Sequence, residues 1–222
     1  MSEALLVLDT ATPATVAGVA LGDTVIERRH DPEAGERPGH VSQLLALAEA
    51  ALAEAGLTLG EVARVGVGVG PGSFTGLRIG IATARALAHA TGAQVVGVST
   101  LGALAVAADT GEPVLAVLDA RRGEAFAAVW QDGRELEPPR ALAPERLGEL
   151  ATRAVLAVGD GAVRFREQLE PAGVTVPEDG SPLHRVGAKG LARLAAEATP
   201  VAREALLPEY VREPDAKPRT AQ

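Results

Sequence analysis

The stretch Gly70-Pro71-Gly72-Ser73-Phe74-Thr75-Gly76-Leu77-Arg78-Ile79-Gly80 joins a strand-like run, Val65 to Val69, to a helix-like run that reaches about His89. A glycine-rich turn from strand to helix meets either a phosphate or another backbone, and residue spacing tests the first option. A Walker loop needs a second glycine five places after the first, then Lys and Ser or Thr. Leu77 stands five after Gly72, and no lysine precedes Lys189. A dinucleotide-binding turn needs glycines at i, i+2 and i+5, but counting from Gly70 ends on Thr75 and counting from Gly68 ends on Ser73. Ser73 also lies one position early for the Gly-x-Ser-x-Gly nucleophile elbow. What remains for an anion is the helix N-terminus, with its free N–H groups and dipole, so Gly72 and Ser73 stay candidates for that role.

Within the helix, Gly76, Gly80, Ala84 and Ala88 recur every four residues and form a ridge almost without side chains. Helix-interior glycines cost about 1 kcal/mol each relative to alanine, and a close backbone approach offsets that. The ridge therefore faces either another polypeptide or the chain's own sheet. A second helix-like run, Val41 to Ala55, carries a core stripe of Val41, Leu44, Leu45, Ala48, Leu52 and Ala55, while its opposite side offers Ala46, Leu47, Ala50, Ala51 and Ala53. A helix apolar nearly all round needs cover on both sides. Together the two helices lead us to expect a partner interface built from His40, Leu44, Leu47, Ala51, Gly76, Leu77, Gly80 and Ala84.

The chain of 222 residues is 47% hydrophobic, enough for one large domain or two small ones. No apolar run approaches the roughly 20 residues of a membrane span, and the start, Met1-Ser2-Glu3, is acidic where a secretion signal is basic. We expect a soluble, cytoplasmic protein. Absence of cysteine excludes disulfides, thiolate catalysis and thiolate-bound zinc. Asp and Glu outnumber Lys and Arg by 29 to 21, a net charge of −8, which opposes a phosphate backbone. Nucleic acid is expected to reach this chain only through a partner, with Arg28-Arg29 and Arg121-Arg122 as the basic pairs nearest to such a role.

Element order repeats along the chain. Strand-like runs at Leu5–Asp9, Thr15–Leu21 and Val25–Arg29 are followed by a helix, the Val65–Val69 strand, the Gly76 helix, a short strand at Val95–Val98 and a helix capped by Ser99. The second half runs Val114–Asp119, Glu124–Trp130, Arg134–Leu136, helix Pro144–Ala151, strand Val155–Val158, helix Ala162–Leu169, short strand Val174–Val176 and helix Val186–Ala198. This predicts a duplicated α/β protein with an N-terminal lobe over 1–109 and a C-terminal lobe over 110–222, its tail beyond Arg212 polar and frayed.

Chemistry-bearing residues are sparse. His30, His40, His89 and His184 never fall at the i, i+3 or i+4 spacing of paired metal ligands on a helix, and no metal is expected. Asp9 and Asp119 end corresponding strands of the two halves, where paired carboxylates in two-lobed ATPases hold metal and phosphate. Neither is followed by the glycines that let a backbone approach phosphate. Asp9, Gly72, Ser73 and Asp119 are thus the candidate nucleotide or anion residues, and no catalytic set is assigned.

Asp9-Thr10-Ala11-Thr12, Gly39-His40-Val41-Ser42-Gln43-Leu44-Leu45, the Gly70–Gly80 loop, Ser99-Thr100-Leu101, Asp119-Ala120-Arg121 and Pro208-Glu209-Tyr210-Val211-Arg212 together resemble the bacterial TsaB, or YeaZ, family. The resemblance spans about Leu5 to Arg212; the loop is its most specific part and the second half matches only in pieces. It implies the actin-like, sugar-kinase-like (ribonuclease H-like) fold, with each lobe a mixed sheet flanked by helices. It also implies a noncatalytic partner of the paralogue TsaD in forming threonylcarbamoyladenosine beside the anticodon of tRNAs that read codons starting with adenine. TsaD carries a metal-binding His-x-x-x-His where this chain has Glu36 and His40. The ATPase TsaE joins the complex, the chain pairs with itself in the absence of TsaD, and ATP or ADP with magnesium is expected only at the complex interface. Family interfaces use the first two helices of the first lobe. The alternative is a nucleotide hydrolase or glycoprotease-like peptidase using Asp9, Asp119 and Ser73.

Overall fold

The computed structural model describes residues 3–33 and 35–212. Nine strands and seven α-helices among them form two mixed sheets: β1 (Ala4–Asp9), β2 (Thr15–Leu21), β3 (Thr24–His30), α1 (His40–Glu54), β4 (Val62–Gly70), α2 (Phe74–Thr91), β5 (Gln94–Ser99), α3 (Thr100–Ala107), β6 (Val114–Arg121), β7 (Glu124–Gln131), β8 (Arg134–Leu142), α4 (Leu147–Ala151), β9 (Leu156–Val158), α5 (Asp160–Arg164), α6 (Arg166–Leu169) and α7 (Ala188–Glu197). The first sheet has the order β3-β2-β1-β4-β5 and the second β8-β7-β6-β9. In each, an antiparallel meander leads into parallel strands. The duplicated α/β architecture expected from element order is present.

Alternation along the strands builds the layers. Leu6, Leu8, Ala17 and Val19 face α1 and α2, whereas Leu5, Val7, Val16 and Ala20 face the interior between the sheets. A third apolar layer, with Leu115, Val117, Leu147 and Leu169, covers the far side of the second sheet. The middle layer holds α3 and α7, which pack on one another so closely that a Cβ at Gly190 would lie 1.9 Å from the Ala103 carbonyl oxygen. Here the lobes exchange helices. α3 follows the first sheet yet packs against β6 and β7, and α7 comes last yet lies across the first sheet, with Ala188 against Gly18 and Ala195 against Gly66.

Three elements differ from expectation. β8 runs on to Leu142 through Pro138 and Pro139 because it is an edge strand, where prolines cost no ladder bond, and its register slips opposite Ala128. Ala162–Leu169 is interrupted at Phe165, which separates α5 from α6. The expected strand at Val174–Val176 shrinks to one bridge between Thr175 and Leu156. Among the described residues no helix is long and apolar enough to cross a membrane. The tail expected to fray beyond Arg212 lies outside them.

Candidate functional site

The Gly70–Gly80 loop meets a backbone, and it is its own. Ser73 N donates to the Ala11 carbonyl oxygen at 2.7 Å, and a Cβ on Gly72 would fall 2.4 Å from that same oxygen. The Ser73 hydroxyl accepts from Gly76 N and so caps α2. Thr10 Oγ1 donates to the Gly76 carbonyl at 2.7 Å. Gly70, at φ 120°, turns where a side chain would strike the Glu209 carbonyl. The loop is thus packed against the β1–β2 connection through Thr10 and Ala11.

The α2 ridge resolves in favour of the chain's own sheet. Gly76, Gly80, Ala84 and Ala88 are all buried, and a Cβ would sit 1.9 Å from Thr10 O at Gly76 and 2.5 Å from Thr10 Oγ1 at Gly80. Leu77 is buried as well, and on α1 so are His40, Leu44 and Ala51, with Leu47 half-buried. Apart from half-buried Leu47, these side chains are enclosed within this subunit. The reason is helical phase: α1 buries Leu44, Ala48 and Leu52 of the expected stripe but turns Ala51 and, in part, Leu47 inward and leaves Val41 80% and Leu45 56% exposed. The faces turned outward are Val41, Leu45 and Ala46 on α1, and the row Arg78, Ala82, Ala86 and Ala90 on α2.

Asp9 and Asp119 are structural counterparts. Asp9 Oδ1 accepts from Ala11 N at 2.9 Å, and Asp119 Oδ1 accepts from Arg121 N at 2.8 Å, the same turn made twice. Their surroundings diverge. Asp9 is fully buried against Gly68, with Thr100 Oγ1 at 3.4 Å from Oδ2, and burial pushes its carboxyl up to about 6. Asp119 Oδ2 is paired with Arg164 at 2.9 Å and Arg121 at 3.3 Å. Asp160 Oδ1 accepts from Asp119 N at 3.0 Å, and burial raises the Asp160 carboxyl above the usual range. A cleft of about 610 Å³ opens between the lobes, lined by Gly72, Ser73, Phe74, Asp119, Arg121 and Arg212 among others; Asp9 is not part of its wall.

A strap from Leu206 to Arg212 crosses this cleft. Leu206 is buried in the first lobe, Glu209 N donates to the Val69 carbonyl at 2.8 Å, and Tyr210 stacks on Phe74 with ring centroids 5.3 Å apart. Arg78 lies 3.9 Å over the Phe74 ring and donates to the Tyr210 hydroxyl at 3.0 Å. Arg212 then reaches the second lobe, donating to the Ala120 carbonyl at 3.0 Å and pairing with Glu124. The available signal was composition: Phe74 and Tyr210 stand out in a chain only 2% aromatic.

Glu36 accepts from Glu33 N at 3.0 Å, while His40 Nδ1 meets Thr15 Oγ1 at 2.8 Å. Among the described residues no group of three or more His, Asp or Glu side chains is placed to hold a metal ion.

Fold and cleft together define a two-lobed α/β protein whose Gly70–Gly80 loop packs on the turn after β1. The family model of TsaD, tRNA N6-adenosine threonylcarbamoyltransferase, matches residues 31–156. YeaZ from Pseudomonas aeruginosa superposes with a TM-score of 0.77 at 30% identity, covering 95% of this chain and 100% of that one. A Mycobacterium tuberculosis protein is 37% identical over 220 residues, 96% of this chain and 94% of its own length. The tRNA threonylcarbamoyladenosine biosynthesis protein TsaB of Haemophilus influenzae is 39% identical over 126 residues, 55% of this chain and 51% of that protein. The chain belongs to the TsaB (YeaZ) family, within the wider TsaD-related group.

Proposed function

We propose that this protein is a noncatalytic scaffold and activator of a TsaD-type transferase in forming threonylcarbamoyladenosine beside the anticodon of tRNAs reading codons that start with adenine. The observation that carries the reading is a contrast on α1 and α2. Their small-residue faces are used up inside the subunit, while Val41 and Leu45 stand 80% and 56% exposed beside an alanine row on α2. Exposed aliphatic side chains grouped on adjacent helices suit a helical partner. On this reading the outward α1 and α2 faces pack on TsaD, or on a second copy when TsaD is absent. TsaE joins the assembly, tRNA arrives only through it, and ATP or ADP with magnesium binds where the subunits meet rather than at Asp9.

The test is co-purification with TsaD from the same organism. Leu45→Glu places a charge on the outward face without touching the core and is expected to abolish capture and self-association while circular dichroism stays unchanged. Undiminished capture by Leu45→Glu and by Ala86→Arg would remove the interface. Gly80→Leu is unsuited to this test, since its side chain would strike Thr10 and Val67 within the subunit.

A second reading, a nucleotide hydrolase or peptidase acting alone, draws on the open cleft lined by Ser73 and Asp119. Steady turnover of ATP or of a peptide by the isolated chain, lost in Asp119→Asn, would favour it over the scaffold.

A further inference from the structure

Away from the cleft the two lobes are joined through α3 and α7, none of whose residues lines it. On the cleft side they are joined by the strap, and its two ends are held differently. On the first lobe the grip is deep and made of several parts: Leu206 is 2% exposed, Glu209 N donates to the Val69 carbonyl, and Tyr210 lies on Phe74 with Arg78 bonded to its hydroxyl. On the second lobe the grip comes at the last described residue. The Arg212 guanidinium donates to the Ala120 carbonyl, pairs with Glu124 and lies 5.9 Å from the centroid of the Phe126 ring. Arg212 and Glu124 keep 30% and 39% of their side chains exposed. Water and salt screen such a pair, so the hold is weak and sensitive to ionic strength.

What Arg212 grips is a strained turn. Ala120 and Glu124 flank the β6–β7 connection, in which Arg121, Arg122 and Gly123 follow one another at φ 63°, 56° and 80°. Glycine, asparagine and aspartate adopt that left-handed region readily, and arginine does not. The other two tight hairpins keep to the favoured residues, with Gly22-Asp23 and Asp132-Gly133 between their last paired positions. Residues held in sparsely populated conformations persist only where their surroundings fix them, and they cluster at clamps and switches. Here the Asp119 carboxylate fixes Arg121 N from within the lobe. The strap does so from outside, its guanidinium tying the residue before the turn to the residue after it. Arg121 and Arg122 both line the cleft, so the grip on the turn is also a grip on the cleft wall.

We propose that the strap is a latch. Fixed to the first lobe at Leu206, Glu209 and Tyr210, it sets the width of the cleft by holding the β6–β7 turn through Arg212. Release of that hold lets the second lobe swing outward on α3 and α7, widening the space lined by Ser73 and Asp119 while the strap stays seated on the first lobe.

The chain has no cysteine, so dyes attached at Thr75→Cys and Glu167→Cys, exposed positions on α2 and α6, report the separation of the lobes. Single-molecule energy transfer reads one full-length chain at a time. Arg212→Ala is expected to lower the transfer efficiency, and Glu124→Gln, which leaves Arg212 bonded to Ala120, to lower it less. High salt is expected to lower the efficiency of the parent and to change that of Arg212→Ala little. Arg146→Ala, which breaks a surface pair with Glu149 on the same lobe, is expected to match the parent. Circular dichroism separates opening from unfolding, and Glu124→Gln carries the decision if Arg212→Ala fails to fold. Unchanged efficiency in the deciding variant, or an equal fall in Arg146→Ala, overturns the latch. The readout involves no partner, so the TsaD interface stands or falls separately.

Discussion

The two lobes share a topology and differ in what surrounds it. The first has a five-stranded sheet covered by helices of 15 and 18 residues. In the second the sheet has four strands, and the corresponding cover is reduced to α4, α5 and α6 with five, five and four residues. The turn after the first strand is kept in both, with an aspartate bonding the backbone two residues on, and in both a glycine of the following helix abuts it: Gly76 on Thr10, Gly161 on Leu118 and Asp119. The difference teaches that the lobes agree in the turns that face inward and differ in the helices outside them. The long helices lie on the lobe for which a partner is proposed.

The sharpest way to break this comparison is at the glycines. Gly76→Ala sets a methyl group 1.9 Å from Thr10 O, and we expect it to cost at least about 3 kcal/mol, read as a lower urea midpoint. Gly161→Ala meets its neighbours at 2.7–3.0 Å on a five-residue helix that has more room to shift, so its cost is expected to be smaller. Equal losses would show that the two turns are equally rigid.

Next in size is the aspartate pair. Because burial raises the Asp9 pKa from 3.8 to about 6, the folded state holds its proton more tightly than the unfolded chain. Its contribution to stability is therefore fully present below 3.8 and lost as pH rises through about 6. Asp9→Asn removes that penalty and is expected to stabilise the protein at pH 8 by on the order of 2–3 kcal/mol, with no gain near pH 4. Asp119→Asn, whose carboxylate is paired with Arg121 and Arg164, is expected to destabilise at pH 8. Thermal melts at both pH values check the contrast, and a gain from Asp119→Asn would remove it. The smallest effect is expected at the strap. Tyr210→Ala loses the Phe74 stack and the Arg78 hydrogen bond, worth about 1 kcal/mol, seen as a Tm fall of a few degrees.

Much of the fold was legible. Element order, the Ser99 cap and the equivalence of Asp9 and Asp119 all follow from local signals, because turn and cap chemistry acts over a few residues. Helix orientation was not. The ridge at Gly76 and Gly80 announces a close approach, but periodicity names a face and not what it touches. On α1, apolar nearly all round, phase could not be fixed, so Leu47 and Ala51 exchanged places with Val41 and Leu45. The anion candidates divided for a related reason: Gly72, Ser73 and Asp119 line the cleft, whereas Asp9 was drawn into the core by Gly68 and Thr100.

The exchange of α3 and α7 also bears on how the protein is made. During synthesis from the N-terminus, all five strands of the first sheet leave the ribosome well before residues 188–197, the helix that roofs one of its faces. A nascent chain halted midway would show a bare Leu5–Val7–Val16 surface, so the burial of the first lobe is complete only once α7 has been made.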